Sequence, residues 1–232
     1  MRSDRPDILT KRELIALAGQ AGAFAAGLTL PARLLAKDIY PETPSMALGP
    51  FYPVEKLADR DADLTRIKGR AGRAKGEVIE VAGRVMLADG TPQPGARIEI
   101  WQCNAAGRYL HKGDTNLAAA IDPNFQGYAM LTAGADGSFR FLTVKPAAYP
   151  AGNFLRSPHI HMDVSGKYQR RVTQMYLPAN DAMLKLDIVF QHDVEGMSAD
   201  ESKTVFGKRT AGAATMEKGA DLYRFDLVLA SV

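Results

Sequence analysis

Two of the four histidines of this 232-residue chain, His159 and His161, are separated by one residue in a segment that is predicted to be a β-strand. Side chains two residues apart in a strand lie on the same face of the sheet, so both imidazoles can bind one metal ion. Tyr109 and Tyr149 lie in two segments that offer phenolate oxygens as further ligands. Two imidazoles and two phenolates form a hard, anionic set of ligands that favours ferric iron over zinc or copper(I).

Taken singly, these residues leave other interpretations open. The His-x-His spacing also occurs in cupins and in many hydrolases, including those that use zinc. A tyrosine without further context is more often a core or sheet-edge aromatic than a metal ligand. His111 and His192 have no comparable neighbours in the sequence, and we expect both at the surface.

The elements that must position these residues are mostly strands. Alternating apolar residues bounded by glycine, proline and aspartate indicate seven or eight short strands, which predict an all-β protein with a β-sandwich core and long loops. The segment 96–101 alternates as a half-buried strand, and the turn 134–137 predicts a β-hairpin. The predicted strands are Val78–Leu87, Ala96–Trp101, Gly127–Thr132, Ser138–Leu142, Ile160–Ser165, Val172–Leu177, Leu186–Phe190 and Leu222–Leu229.

Composition excludes several classes of protein. With 46% hydrophobic and 24% charged residues, the chain has the make-up of a soluble globular protein. Its net charge of +3 is small and its basic residues are not clustered, so nothing indicates nucleic-acid binding. A single cysteine, Cys103, excludes an intramolecular disulfide and a cysteine zinc site.

The first 36 residues resemble an export signal. Lys11-Arg12 precedes an uncharged run rich in Ala, Gly and Leu from Ile15 to Pro31, which is the layout of a variant twin-arginine signal. This predicts a periplasmic or secreted protein. The alternative is an ordinary helix opened by the capping box Thr10-x-x-Glu13, in a cytoplasmic protein. The run is too short and too rich in Ala and Gly for a stable membrane span.

A longer series of motifs lies between residues of about 40 and 200. The motifs include Gly83-Arg84-Val85, Ile98-Glu99-Ile100-Trp101-Gln102, Gly107-Arg108-Tyr109, Lys145-Pro146-x-x-Tyr149-Pro150, Arg156-x-Pro158-His159-Ile160-His161 and Thr173-Gln174-Met175-Tyr176. In sequence and in order, this series resembles the signature of the intradiol ring-cleavage dioxygenases.

The resemblance implies a non-haem Fe³⁺ enzyme that cleaves a catecholic ring with O₂ to a cis,cis-muconic acid type of product. By the matching motifs, the iron ligands are Tyr109, Tyr149, His159 and His161. Tyr149 is also implied as the catalytic base, Arg156 as the group that stabilises negative charge on the activated ring, and Gln174 as a further active-site residue. The substrate partners are then a catecholic small molecule and O₂.

The resemblance also suggests how the chain is organised. Gly49, Pro50 and Tyr52 lie in a segment similar to the one that protocatechuate enzymes contribute to the pocket from a separate α chain. Residues 37–76 are therefore expected to be an extended segment that contributes to the pocket, and residues 77–232 the β-sandwich catalytic domain. Because both sets of residues are in one polypeptide, no separate partner chain is required. A homo-oligomer stays open.

Two features depart from the family pattern. The segment Ala151–Leu155 is shorter than in either well-known subfamily, which leaves the identity of the catechol open, and Cys103 replaces a small alanine. The alternative function is a non-catalytic, prealbumin-like β-sandwich binding module, which residues 83–101 alone resemble. Such a module has no use for four ligands together with Arg156 and Gln174.

Overall fold

The computed structural model describes residues 40–56, 58–177, 181–210 and 213–231. The segment 1–36, for which we predicted an export signal, lies outside the described residues. No helix in the described part is long and apolar enough to cross a membrane.

Strands dominate this part of the chain, as predicted. They are β1 Val78–Leu87, β2 Arg97–Trp101, β3 Tyr128–Thr132, β4 Ser138–Val144, β5 Tyr149–Ala151, β6 Phe154–Arg156, β7 His159–Ser165, β8 Arg170–Tyr176, β9 Lys208–Thr210, β10 Asp221–Arg224 and β11 Leu227–Leu229. Three short helices follow β8: α1 Asp181–Leu186, α2 Ile188–Val194 and α3 Ala199–Thr204. The prediction of an all-β fold is confirmed.

The strands form two main sheets and a small hairpin. In the first sheet, β1 pairs antiparallel with β4 on one edge and in parallel with β10 and then β11 on the other, while β9 extends the sheet from β10. The second sheet has the antiparallel order β3-β2-β7-β8, and β5 pairs only with β6. One continuous cluster of buried apolar residues draws on both main sheets, which makes the fold a sandwich.

Around Glu99 and Trp101 the second sheet is buried on both faces, and this differs from the sequence prediction for β2. Ile98 and Ile100 point into the sandwich core, and the alternate residues Glu99 and Trp101 were expected to be exposed. Glu99 and Trp101 are instead only 2% and 0% exposed. Loops that precede and follow the strands cover this outer face. The two-residue period of the sequence therefore does not predict which residues of β2 are exposed to solvent.

Two further strand predictions need correction. The turn 134–137 does not close a hairpin, because β3 pairs with β2 while β4 pairs with β1, so the turn joins the two sheets. The predicted strand Leu222–Leu229 is interrupted at Phe225 and Asp226. A Cβ atom on Gly83 would overlap with the carbonyl oxygen of Phe225, and Asp226 accepts a hydrogen bond from the Arg84 amide at 3.0 Å.

The predicted strand Leu186–Phe190 is wrong, because this segment contains the end of α1 and the start of α2. The alternation of Leu186, Ile188 and Phe190 suggested a strand, but Leu186 and Ile188 are 60% and 56% exposed and only Phe190 is buried. Asp187 begins α2 as its N-cap and accepts a hydrogen bond from the Phe190 amide at 3.0 Å.

Candidate metal centre

The site is built on the outer face of β7. His159 and His161 lie on this face, and the antiparallel register places His159 opposite Tyr176, and His161 between Trp101 and Gln174. Both imidazoles are 1% exposed, and their Nε2 atoms are 3.1 Å apart. The two lone-pair positions therefore converge on one point, where a single proton or a single metal ion can lie between them.

The orientation of each imidazole has a separate cause. His159 Nδ1 lies 2.6 Å from the carbonyl oxygen of Ser157 and must donate to it, because a carbonyl only accepts. This hydrogen bond fixes the tautomer and leaves Nε2 as the free acceptor, which is the usual arrangement of a metal-binding histidine. His161 is stacked against the indole of Trp101, with ring centroids 4.9 Å apart and planes 5° from parallel.

Tyr109 reaches the histidines from the loop after β2. Its amide donates to Asp114 at 2.7 Å, and its hydroxyl oxygen lies 3.5 Å from Nε2 of His159. Gly107, with φ at +80°, allows this loop to pack against the Tyr149 segment, since a Cβ there would lie 3.0 Å from the Ala148 carbonyl oxygen. Such a close approach at positive φ requires glycine.

Tyr149 enters from the β5–β6 hairpin, where it is paired directly with Arg156. Its ring lies edge-on to Tyr109, with centroids 5.3 Å apart, and 5.7 Å from the ring of His159. The structure thus brings together all four side chains for which we predicted a ligand role.

Burial keeps this cluster uncharged in the absence of a cation. It lowers the pKa of His159 well below its usual value and the pKa of His161 to about 3, with Arg156 adding to both effects. Burial also raises the pKa of Tyr109 well above its usual value and that of Tyr149 to about 12. The imidazoles are therefore neutral and ready to bind a metal, whereas the phenols need a strong cation to ionise.

The donor set fits ferric iron. Among the residues that the structure describes, no group of three or more His, Cys, Asp and Glu residues could hold a metal ion. A metal held here by four side chains would take both phenol oxygens as well as the two imidazoles, and a hard, highly charged ion is the kind that ionises buried phenols and binds them.

Arg156 and Gln174 lie beside the four predicted ligands. Arg156 is 5% exposed, and its Nη2 donates to Oε1 of Gln174 at 2.7 Å and to the hydroxyl of Tyr176 at 3.1 Å. Gln174 in turn donates from Nε2 to the carbonyl of Ala47 at 3.3 Å. Arg156 thus provides a buried positive charge at the centre, and Gln174 links that charge to the N-terminal segment.

Residues 46–56, which we call the roof segment, cross over the centre. A Cβ on Gly49 would lie 3.0 Å from Cε1 of His161, so the backbone of the segment rests directly on this imidazole. The ring of Phe51 lies 4.6 Å from that of Tyr109, centroid to centroid. Pro50 is exposed in the turn between them. Of the predicted pocket residues, Gly49 therefore adjoins His161, and Pro50 follows it in the exposed turn.

Tyr52, the third predicted pocket residue, contacts the second sheet beside the centre. Its hydroxyl donates to Oε2 of Glu99 at 2.7 Å, and its ring meets Trp101 edge-on at 5.0 Å. Glu99 also accepts from Lys56 and from Tyr128, each at 2.7 Å. The hydroxyl of Tyr52 is thus used to anchor the roof segment to the sheet.

Sequence reasoning missed two residues at this site. Trp101 had no usable signal, because the pairing of β2 with β7 that places it beside His161 is seen only in the structure. Asp187, which binds Arg156 Nε at 3.1 Å, had no usable signal, because its segment is predicted to be a strand.

One of the two histidines expected at the surface, His111, is half-buried, 5.7 Å from the ring of Phe51. The other, His192, is exposed.

Comparison with known proteins agrees with this geometry. A family model described as Dioxygenase matches residues 48–231. The protocatechuate 3,4-dioxygenase beta chain of Burkholderia cepacia is 43% identical over 185 residues, which cover 78% of this chain and 76% of that protein. The hydroxyquinol 1,2-dioxygenase of Nocardioides simplex is 32% identical over 174 residues, covering 69% of this chain and 57% of that protein.

Solved structures agree on the fold. The dioxygenase domain of a dioxygenase carbohydrate-binding protein fusion from Streptomyces sp. SirexAA-E has a TM-score of 0.59 at 21% identity, covering 83% of this chain and 100% of that chain. None of these matches supports a prealbumin-like binding module. The chain belongs to the intradiol ring-cleavage dioxygenase family of enzymes.

Proposed function

We propose that this dioxygenase binds one ferric ion through Tyr109, Tyr149, His159 and His161 and cleaves a catecholic ring with O₂ between its two hydroxylated carbons. The product is of the cis,cis-muconic acid type. The observation that carries the proposal is the convergence of ligand atoms: Nε2 of His159 lies 3.1 Å from Nε2 of His161 and 3.5 Å from the hydroxyl of Tyr109.

The bound ion would ionise the phenols and draw electron density from the catecholate, which makes the ring reactive towards O₂. The residues of the chain have separate tasks. Once ionised, the phenolate of Tyr149 would accept a proton from the substrate as a general base, because burial raises its pKa and so favours its protonated form. The guanidinium of Arg156 stabilises negative charge that develops on the ring.

The covering residues exclude water from this chemistry. The ring of Phe51 packs against Tyr109, and the indole of Trp101 stacks against His161. Both rings therefore surround the centre with apolar surface. In such surroundings the charge on Arg156 acts with little screening. The substrate is a catechol, and the relatives named for protocatechuate and hydroxyquinol support this class without selecting one member of it.

The test is made on the purified, iron-loaded chain. We expect about one iron per chain, a visible tyrosinate-to-iron band, and O₂ uptake with at least one of catechol, protocatechuate and hydroxyquinol. His161→Ala should lose iron and activity together, whereas His192→Ala, at an exposed position on α2, should change neither. Full activity in an iron-free preparation would contradict the proposal.

A further inference from the structure

The carboxylate of Asp187 lies behind Arg156 and is 0% exposed. It stands between α1 and α2, in the segment that the sequence wrongly indicates as a strand. Buried carboxylates are costly unless each oxygen is hydrogen-bonded and the charge is paired. Asp187 meets both conditions, and one of its partners belongs to the proposed reaction centre.

Three donors from two parts of the chain meet at this carboxylate. The Phe190 amide of α2 donates to Oδ1 at 3.0 Å, and the Ser157 amide donates to Oδ2 at 2.7 Å. Arg156 Nε lies 3.1 Å from Oδ1 and 3.3 Å from Oδ2. The two backbone amides hold the carboxylate in place, so that its contact with Arg156 has a fixed direction.

The guanidinium is held from two sides. Asp187 binds Nε, while Gln174 and Tyr176 accept from Nη2. Within the described part of the chain, no hydrogen bond is formed by Nη1. Because a guanidinium is planar and its donors form a rigid fork, fixing Nε and Nη2 leaves Nη1 with a single direction.

We propose that Asp187 is a positioning residue for Arg156: it fixes the guanidinium so that its unused Nη1 edge faces the substrate ring. This inference rests on the proposed function, in which Arg156 stabilises charge on that ring. Without Asp187 the guanidinium would remain positively charged but would lose the contact that sets its direction.

The main variant is Asp187→Asn, because asparagine is as good an N-cap as aspartate and keeps α2 capped. It removes the negative charge and one acceptor oxygen. For the iron-loaded chain we expect kcat to fall about 10–100-fold, the usual loss when the partner of an active-site group is removed. KM should change little, since the stabilised charge arises only during the reaction.

The matched control is Asp221→Asn. Asp221 also binds an arginine, Arg209, through both carboxylate oxygens, at 2.6 and 2.9 Å, but it lies on β10 of the other sheet. Its replacement should leave kcat and KM as in the wild type. A loss in Asp187→Asn alone then reports the contact with Arg156 and not the removal of a carboxylate as such.

A double-mutant cycle separates positioning from a structural role. If Asp187 acts through Arg156, adding Asp187→Asn to Arg156→Gln should lower kcat by less than about threefold further. In the metal-free chain, the unfolding midpoint should fall in either single variant and recover in the double variant, because no unpaired buried charge remains.

The outcomes are distinct. Wild-type kcat in Asp187→Asn, losses in kcat that multiply in the double variant, or additive changes in the unfolding midpoint would each overturn the inference while the wild-type enzyme stays active. An iron-loaded wild-type chain that consumes no O₂ with any of the three catechols would overturn the proposed function, and this inference with it.

Discussion

Tyr149 and Arg156 show how single residues influence each other at the centre. They are paired across the β5–β6 hairpin. Burial raises the pKa of Tyr149 to about 12, while the positive charge of Arg156 acts in the opposite direction. A phenol with this balance is protonated in the metal-free chain and ionises when a further cation binds. It therefore has the properties of both a ligand and a base.

Replacing Tyr149 by Phe should separate these two roles. Iron should stay bound, because Tyr109, His159 and His161 remain, but turnover should fall about 10²–10⁴-fold through loss of the base. Iron analysis and O₂ uptake measure the two effects. The control Tyr168→Phe removes a hydroxyl from a tyrosine that is 71% exposed, and it should change neither. Undiminished turnover in Tyr149→Phe would show that another group takes the proton.

Gly49 provides a second test at the residue scale. Gly49→Ala should destabilise the chain by about 1 kcal/mol, because alanine is strained at a φ of +75°. It should also lower activity, since the new Cβ would lie 3.0 Å from Cε1 of His161. Chemical unfolding and O₂ uptake measure these effects.

Gly95→Ala is the matched control for Gly49→Ala. Gly95 has a φ of +74°, but a Cβ there would have no atom within 4 Å. Gly95→Ala should therefore show the same loss of stability as Gly49→Ala but normal activity. Equal activity in the two variants would mean that Gly49 does not touch the working site.

At the scale of elements, the roof segment connects the second sheet with the centre. The Met46 amide donates to the Val172 carbonyl at 2.9 Å, and Tyr52 and Lys56 bind Glu99 at the other end. Burial alone would raise the pKa of Glu99, but the hydrogen bonds from Lys56, Tyr52 and Tyr128 lower it to about 2. The ionised carboxylate of Glu99 thus holds the roof segment on the sheet.

Glu99→Gln should therefore lower the free energy of unfolding by about 2–3 kcal/mol near neutral pH. The folded pKa of about 2 lies below the ordinary value of 4.5, so the contribution is complete above pH 4.5 and is lost as the pH falls towards 2. Urea unfolding of wild type and variant should show a difference that narrows over this range. Glu55→Gln, an exposed partner of Lys112 in the same segment, should have little effect at any pH. A pH-independent difference for Glu99→Gln would mean that the charge is not responsible.

At the scale of the whole molecule, the sandwich gives its second sheet two different tasks. One face closes the apolar core, and the other carries His159, His161 and Gln174 under the roof segment. Tyr109 joins them from the loop after β2, and Tyr149 and Arg156 join them from the β5–β6 hairpin.

Export is our proposal for residues 1–36, based on Lys11-Arg12 and the uncharged run that follows. Mass spectrometry of the protein from its native host should find a chain that begins near residue 37, in the periplasmic or secreted fraction. Replacing Lys11 and Arg12 by glutamine should keep the full-length chain in the cytoplasm. An intact N-terminus on cytoplasmic wild-type protein would contradict export.

The sequence by itself determined the fold class, the family and the four side chains that meet at the centre. The strand period places His159 and His161 on one face, and the family motifs identify Tyr109 and Tyr149 before any coordinate is known. These features are local, or depend on motif order along the chain, so they can be read without knowing what packs against them.

Only the tertiary structure decided which residues surround these four side chains. The sequence period indicates two faces for β2 but not that loops bury both, so Glu99 read as exposed. Asp187 was predicted to lie in a strand, because the apolar residues Leu186 and Ile188 flank it in an alternating pattern. In the structure, both residues lie on helices and are exposed. The hydrogen bonds of Tyr52 and Asp187 join residues that are 47 and 31 positions apart in the sequence. Such pairings depend on which elements pack together, and no local pattern encodes them.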